Sequence, residues 1–279
     1  MIYNDMNKRM QMARKKIYDA LERGGGYTIL STGMTGDDSR LAKAVTDVGV
    51  RMIEPNHPAV ALARGHRGVT VMHQAEQIRY EITVDQMAEV TRGVRAVCPP
   101  DTYITVGIPG GFTEVVPLPL KEEDFVKMAM AGADGLHIHK SSLRDLEDVV
   151  TMAHKYGLLV DAYIGMSTDL HTFGLTADDT ESVRTIARQM EETGADMIGM
   201  MTGMSYEGVE AGKIHPIIKE RLCALVETVK VPTLAEGGIN ITNFKAFKDT
   251  KVNILVIGTS IDKMVEKAAQ QAVTDFMNI

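Results

Sequence analysis

Tryptophan is absent from the 279-residue sequence, and aromatic residues make up only 5% of it, while methionine occurs 19 times. So many methionines indicate adaptable filling of the core rather than a separate functional set. Cysteine is also scarce, since Cys98 and Cys223 lie far apart and show no metal-ligand spacing. Two cysteines in this pattern exclude a disulfide framework.

Long apolar segments are missing as well. The N-terminus, MIYNDMNKRMQMARKK, is polar and has none of the apolar core of a secretory signal. No other segment approaches the apolar length that a membrane span needs. We therefore expect a cytoplasmic protein without a membrane partner.

The sequence has no excess of basic residues. Lysine and arginine number 30 against 37 aspartates and glutamates, which gives a net charge of −7. This balance argues against a general nucleic-acid partner. No low-complexity segment and no linker rich in proline or glycine divides the chain, so we predict one domain over 1–279, in which 1–26 form a leading helix and a linker.

The chain does contain a regular alternation of short apolar runs and amphipathic helical runs. Strand patterns occupy 28–32, 51–55, 69–73, 103–107, 135–139, 159–164, 197–201, 232–236 and 253–257. After a leading helix at 3–23, the clearest helical patterns occupy 84–97, 122–131, 143–156, 178–193, 215–229, 241–249 and 262–277. Strands that are separated by helices pair in parallel.

Parallel strands of this kind form either an open doubly wound sheet or a closed barrel. Eight strand–helix units fill about 250 residues in a barrel, which matches this length. The sequence therefore predicts an α/β fold, a (β/α)8 TIM barrel with an extra N-terminal helix. Nine strand patterns are one too many. We assign 69–73 to an elaborated loop after the second strand, with 51–55 as the alternative irregular segment.

The active site of such a barrel lies at the carboxyl ends of its strands. In GLHIHK, Leu136 and Ile138 share one face of the strand, so His137 and His139 share the other and point into the barrel. The same alternation in LLVDAYIG points Asp161 and Tyr163 inward. Glu54 lies near the end of the second strand, and Glu236 lies at the end of the seventh. The predicted catalytic residues are Glu54, His137, His139, Asp161 and Glu236.

The two histidines leave alternatives open. With Glu54, Asp161 or the loop residue His171 they match the ligand types of a divalent metal site, although no compact metal motif is present. In the other interpretation they form hydrogen bonds in a polar mouth and contact the substrate. We predict no cofactor and no metal ligands, and keep a divalent metal as the alternative. Lys140, next along the chain, suits a Schiff base or a phosphate contact.

Two glycine turns follow neighbouring apolar strands near the end of the chain, in AEGGIN and VIGTSI. Glycine lets the backbone approach an anion and present its N–H groups, and a helix N-terminus adds further donors. The loops after the last two strands of TIM barrels frequently bind phosphate. We predict a substrate phosphate at Gly237, Gly238, Gly258, Thr259 and Ser260. In contrast, Gly24-Gly25-Gly26 precedes the first strand and is not a dinucleotide motif.

These segments also carry a family resemblance. GADMIGMMTGMSYEG (194–208), VPTLAEGGI (231–239) and VNILVIGTSI (252–261) resemble the last third of the ribulose-phosphate-binding barrels, especially the N-acetylmannosamine-6-phosphate 2-epimerases. The resemblance implies a TIM barrel, a phosphate held by the two glycine turns, and Glu236 at the substrate. GADGLHIHKSSLRD (132–145) fits more loosely. The epimerases' catalytic lysine, at the end of the third strand, has no counterpart in TYITVGIPGGF (102–112).

Three functions remain open at this stage. The first is an epimerase, isomerase or lyase that acts by proton transfer on a small phosphorylated sugar or a related metabolite. The second is a metal-dependent aldolase or lyase that uses His137 and His139. The third is a protein that binds a phosphometabolite without turning it over. The expected partner is a small phosphorylated substrate, with a homo-oligomer as an open alternative.

Overall fold

The structure, a computed structural model, describes residues 2–113, 116–168, 174–203 and 212–279. Its strands are β1 (Thr28–Ser31), β2 (Met52–Ile53), β3 (Tyr103–Phe112), β4 (Gly135–His139), β5 (Leu159–Gly165), β6 (Leu175–Thr176), β7 (Met197–Met201), β8 (Thr233–Glu236) and β9 (Ile254–Ile257). All pairings are parallel, and β4 pairs with β5 to close a ring of β1–β5 and β7–β9. The predicted eight-stranded TIM barrel is confirmed, and β6 only extends its rim beside β5.

Helices surround the barrel. They are α1 (Ile2–Arg23), α2 (Met34–Asp37), α3 (Ser39–Asp47), α4 (His57–Ala63), α5 (Met72–Ile78), α6 (Val84–Val97), α7 (Glu122–Ala131), α8 (Leu143–Lys155), α9 (Thr180–Glu192), α10 (Pro216–Thr228), α11 (Phe244–Lys248) and α12 (Thr259–Met277). Short 3-10 turns lie at His66–Gly68 and Arg79–Glu81. None of the helices in the described ranges is long and apolar enough to cross a membrane.

The segment between β2 and β3 is the elaborated one. The pattern at 69–73 is not a strand, because α5 begins at Met72 and turns Ala75 and Glu76 into the protein. The loop assignment of 69–73 was therefore right, and β2 itself has only two residues. The helices α4 and α5 in this segment, like α2 and α3 before β2, were not predicted from the sequence.

Strand alternation divides the core into two layers. Outward residues such as Leu136 and Ile138 pack against the surrounding helices. Inward residues, including Leu30, Tyr103 and Leu159, fill the barrel and meet the buried face of α1. Helix α1 thus closes the amino-terminal end of the barrel, which leaves the opposite end, called the mouth below, as the place for a site.

Candidate active site

His137 is the centre of a buried polar cluster inside the barrel. The register of β4 and β5 pairs it directly with Asp161. Its Nδ1 lies 2.8 Å from Asp161 Oδ2, and both side chains are completely buried. Thr105 on β3 donates its hydroxyl to the other carboxylate oxygen at 2.5 Å. Asp161 therefore fixes the orientation of the imidazole ring and is itself held by Thr105.

The other ring nitrogen of His137 faces two further groups. His137 Nε2 is 2.6 Å from His139 Nε2 and 3.6 Å from Glu236 Oε2. The Tyr163 ring stacks on His139 at a centroid distance of 4.7 Å, and Phe112 lies against it at 4.4 Å. These aromatic rings hold the two imidazoles in an environment that excludes water.

Glu54, at the end of β2, completes the cluster. Its Oε1 accepts a hydrogen bond from the Asn56 side chain at 2.5 Å and lies 3.6 Å from His137 Nδ1. Its Oε2 is buried and has no hydrogen-bond partner among the described residues. A buried carboxylate oxygen in that state is costly unless it is protonated or a ligand supplies the missing contact.

The charges of the cluster shift its pKa values strongly. Burial raises the pKa of Glu54 and of Glu236, and the nearby His137 charge only partly opposes this. Burial alone would lower the pKa of His137, but the carboxylates of Glu54 and Glu236, with Asp161, raise it to about 10. Burial and the His137 charge lower the pKa of His139 well below its usual value. The cluster thus holds an imidazolium beside a neutral imidazole, and the raised pKa values of Glu54 and Glu236 mean that these two groups keep a proton to higher pH than usual.

A small cavity of about 60 Å³ lies above this cluster. The five residues predicted to bind phosphate all line it, as do Glu236, Asn56 and Glu76, together with Thr32 and Gly33. Gly237 and Gly238 both have positive φ angles, 105° and 73°. A Cβ at Gly237 would lie 2.4 Å from the Gly203 carbonyl oxygen, so only glycine fits this turn. No lysine or arginine of the described ranges lines the cavity.

Gly258 also has a steric role within its own chain. A Cβ there would lie 2.8 Å from Thr32 Cγ2, so this glycine lets the β1 loop approach the start of α12. Lys140 donates its Nζ to the Gly110 carbonyl oxygen. His171, considered above as a metal ligand, lies outside the described residues.

Several residues of the site were missed in the sequence. Thr105 was detectable, because it alternates with the outward Ile104 and Val106. Glu76 was not, because it lies on α5, in a segment whose pattern resembled a strand. It is buried and pairs with Arg79 at 2.6 Å.

Comparison with known proteins supports the fold alone. No protein-family model matches the chain, and no curated protein matches it. Among solved structures, 2,3-dimethylmalate lyase, described as a PEP mutase/isocitrate lyase superfamily member, has a TM-score of 0.62 at 14% identity, covering 96% of this chain and 87% of that one. A candidate lyase/mutase from Burkholderia cenocepacia J2315 gives 0.63 at 14% identity, with coverages of 96% and 89%.

The α-subunit of tryptophan synthase from Pyrococcus furiosus is also similar, with a TM-score of 0.58 at 12% identity, covering 87% of this chain and 91% of that one. At such identities the chain shares a TIM barrel with these enzymes. They do not single out the epimerase family, so that resemblance stays a prediction. A barrel supports many chemistries, and the function has to be argued from the site.

Proposed function

We propose that this protein is an enzyme of the lyase or isomerase type that transfers a proton next to the carbonyl group of a small phosphorylated substrate. One observation carries the proposal: Glu236 lines the cavity and also contacts the buried imidazole cluster, 3.6 Å from His137 Nε2. A titratable group with a raised pKa at the floor of a cavity is typical of an acid–base catalyst. The lyases and mutases among the structural neighbours agree with this class.

The chemistry needs a base, an acid and donors for the enediolate oxygen. Ionised Glu236 serves as the base, and the neutral form returns the proton. His137, held by Asp161, stabilises the carboxylate of Glu236 by its positive charge. Asn56 lines the cavity, and its amide hydrogen that is not donated to Glu54 is offered to an oxyanion, while the turns at 237–238 and 258–260 offer backbone N–H groups to the phosphate.

The experiment is hydrogen exchange in D2O with a panel of small phosphorylated sugars and keto acids, followed by NMR. The wild-type protein is expected to exchange a carbon-bound proton of at least one compound, and Glu236→Gln to lose this activity by about 10²–10⁴-fold. Glu147→Gln, at an exposed position of α8, is the matched control. Phosphate binding without any exchange or turnover would overturn the proposal and favour a non-catalytic binding protein.

A metal-dependent lyase is the second candidate, and one geometric feature favours it. His137, His139 and Glu236 each offer a ligand atom, and these atoms lie within 4.8 Å of one another. Two imidazoles and one carboxylate suit Zn²⁺ or Fe²⁺, and the contact from His137 Nδ1 to Asp161 is the usual outer support of a histidine ligand. A bound cation would supply positive charge to a developing enolate.

The cation also suits the charge of the cluster, because three carboxyl groups, two of them completely buried, share one imidazolium. Metal analysis and calorimetry with Zn²⁺, Mn²⁺ and Mg²⁺ test this candidate. We expect one ion per chain and its loss in His139→Gln. Full turnover by chelator-treated protein that binds none of these ions would exclude a metal role and leave the acid–base proposal intact.

A further inference from the structure

Helix α5 presents one face to the cavity above the His137 cluster. Met72 and Glu76 both line the cavity, and their spacing of four residues places them on the same face of the helix. Glu76 is only 5% exposed, so its carboxyl group is buried at the cavity wall. A carboxyl group in this position can contact any ligand that fills the cavity.

Arg79 holds the Glu76 carboxyl group in place. Its Nη1 donates to Glu76 Oε2 at 2.6 Å, and its Nη2 donates to the Thr113 carbonyl oxygen at 2.7 Å. The guanidinium also lies over the Phe112 ring, 5.3 Å from the ring centroid. These contacts join the segment between β2 and β3 to the end of β3. Arg79 therefore balances the charge of the Glu76 carboxylate and fixes its orientation.

The other groups of the cavity wall decide which part of a ligand suits Glu76. In the part of the chain that the structure describes, neither lysine nor arginine lines the cavity, and Glu236 adds a second carboxyl group. A second anionic group on a phosphorylated substrate would therefore face carboxyl groups without a cation to balance it. A hydroxyl group, in contrast, donates a hydrogen bond to a carboxylate.

We infer that Glu76 determines substrate specificity by accepting a hydrogen bond from a hydroxyl group of the phosphorylated substrate. The ligand is accordingly a small hydroxylated phosphate ester whose phosphate is its single anionic group, and not a phosphorylated acid. Because Arg79 already balances the charge of Glu76, a neutral donor is sufficient. The assignment rests on the proposed function, since it takes the substrate phosphate to lie at the glycine turns.

Replacing Glu76 by glutamine should change this preference. The Arg79 guanidinium offers only donors, so in Glu76→Gln it selects the amide oxygen as its acceptor. The amide NH2 group is then left for the cavity, where it offers a donor in place of an acceptor. The variant should therefore bind a hydroxyl group less tightly and a carboxylate more tightly than the wild-type protein does.

The test is calorimetry of the full chain with methyl phosphate, propyl phosphate, glycerol 3-phosphate and 3-phosphoglycerate. The wild-type protein is expected to bind glycerol 3-phosphate about 10–100-fold more tightly than either of the other two three-carbon probes. In Glu76→Gln the preference for glycerol 3-phosphate over 3-phosphoglycerate should fall by at least about tenfold. The affinity for methyl phosphate, which has no hydroxyl group beyond the phosphate, should stay the same.

Glu81→Gln is the matched control. Glu81 belongs to the same segment and contacts Arg67 at 2.7 Å and His66 at 2.9 Å, but it is not among the residues that line the cavity. This variant should keep all four affinities. Glu76→Met/Arg79→Met is a second variant, which removes the ion pair without leaving one buried charge unpaired. It should lose the preference for glycerol 3-phosphate over propyl phosphate.

A wild-type protein that binds propyl phosphate as tightly as glycerol 3-phosphate would overturn the assignment, as would a Glu76→Gln variant with the wild-type order of affinities. Either result would leave the ion pair a purely structural role, while the phosphate site and the proton transfer would stand. If not even methyl phosphate bound to the wild-type protein, the predicted phosphate site would fail together with the assignment. Circular dichroism checks that each variant keeps its barrel.

Discussion

The two ends of the barrel differ in the number of positively charged partners that their buried carboxylates have. At the amino-terminal end, Asp134 lies 2.7 Å from Lys16 and 2.5 Å from Arg95, and it accepts the backbone N–H of Ile104. Asp196 lies 2.6 Å from Arg14 and 2.8 Å from His154, and it accepts the N–H of Val160. At the mouth, the buried carboxyl groups of Glu54 and Asp161 and the partly exposed one of Glu236 share the single charge of His137.

This difference separates stability from function. Each aspartate at the amino-terminal end follows the same tripeptide pattern, Gly-Ala-Asp at 132–134 and 194–196, and joins a strand to α1 by matched charges. Because Asp134 and Asp196 already contact positively charged side chains of the same chain, they do not need a ligand to balance their charge. The mouth instead keeps acids with raised pKa values and an unpaired carboxylate oxygen, an arrangement that costs stability and suits a group that binds or exchanges protons.

The largest expected effect is on activity at the mouth. Asp161→Asn removes the carboxylate that orients His137 and that helps to hold its charge. We expect turnover per folded molecule, with the substrate found by hydrogen exchange, to fall by about 10²–10⁴-fold. Because Asp161 acts through His137, the pH profile of the remaining activity should also shift. An unchanged profile and rate would show that His137 does not need this partner.

The matching change at the other end should have the opposite outcome. Asp196→Asn removes the acceptor shared by Arg14 and His154. It should lower the free energy of unfolding by about 2–3 kcal/mol, while the activity per folded molecule stays the same. Urea unfolding measures the loss, and Asp148→Asn, at an exposed position of α8, is the control. If Asp196→Asn instead abolished activity in a stable protein, the division of roles between the two ends would be wrong.

The pH dependence of stability sharpens the comparison. The pKa of His137 is raised to about 10 in the folded protein, so its stabilising charge is complete below its unfolded pKa of 6.5 and is lost as the pH rises toward 10. The raised pKa values of Glu54 and Glu236 act in the same direction, because the folded protein binds more protons than the unfolded chain.

Urea unfolding between pH 6.5 and 9 should therefore show decreasing stability, with a slope of up to about 1.4 kcal/mol per pH unit for each proton. His137→Gln should flatten the slope. Saturating Zn²⁺ should flatten it as well if the ion replaces the proton on Nε2. A wild-type slope near zero without metal would contradict the charge assignment of the cluster.

The sequence predicted much of this architecture. The strands at 135–139 and 197–201 and the helices at 84–97 and 122–131 have the predicted bounds, since their apolar periodicity and their ends agree. The prediction of secondary structure from the sequence was incomplete between β1 and β3. There, short helices pack by tertiary contact, and the alternation of Val69 and Val71 resembles a strand although a helix follows.

The candidate site shows the same division. Strand alternation was enough to direct His137 and Asp161 to one interior, because side chains change face at every residue. The distance between the two side chains could not be predicted from the sequence, because it depends on the register between β4 and β5. The place of Glu76 beside the cavity depends on the fold of the β2–β3 segment, which no local pattern in the sequence encodes.

The smallest expected effect is also the most direct test of the unpaired carboxyl at the mouth. Glu54→Gln keeps the size of the side chain and an oxygen that accepts from Asn56, but removes the titratable group. Since burial already favours the neutral form of Glu54, the free energy of unfolding at pH 7 should change by less than about 1 kcal/mol, and the loss of stability above pH 7 should become shallower. Urea unfolding at pH 7 and 9 measures both effects.

A destabilisation as large as that expected for Asp196→Asn would mean that ionised Glu54 is bound to a positive partner beyond the shared imidazolium. In that case the mouth would be charge-matched like the other end, and a tightly held cation would become the leading explanation of the cluster.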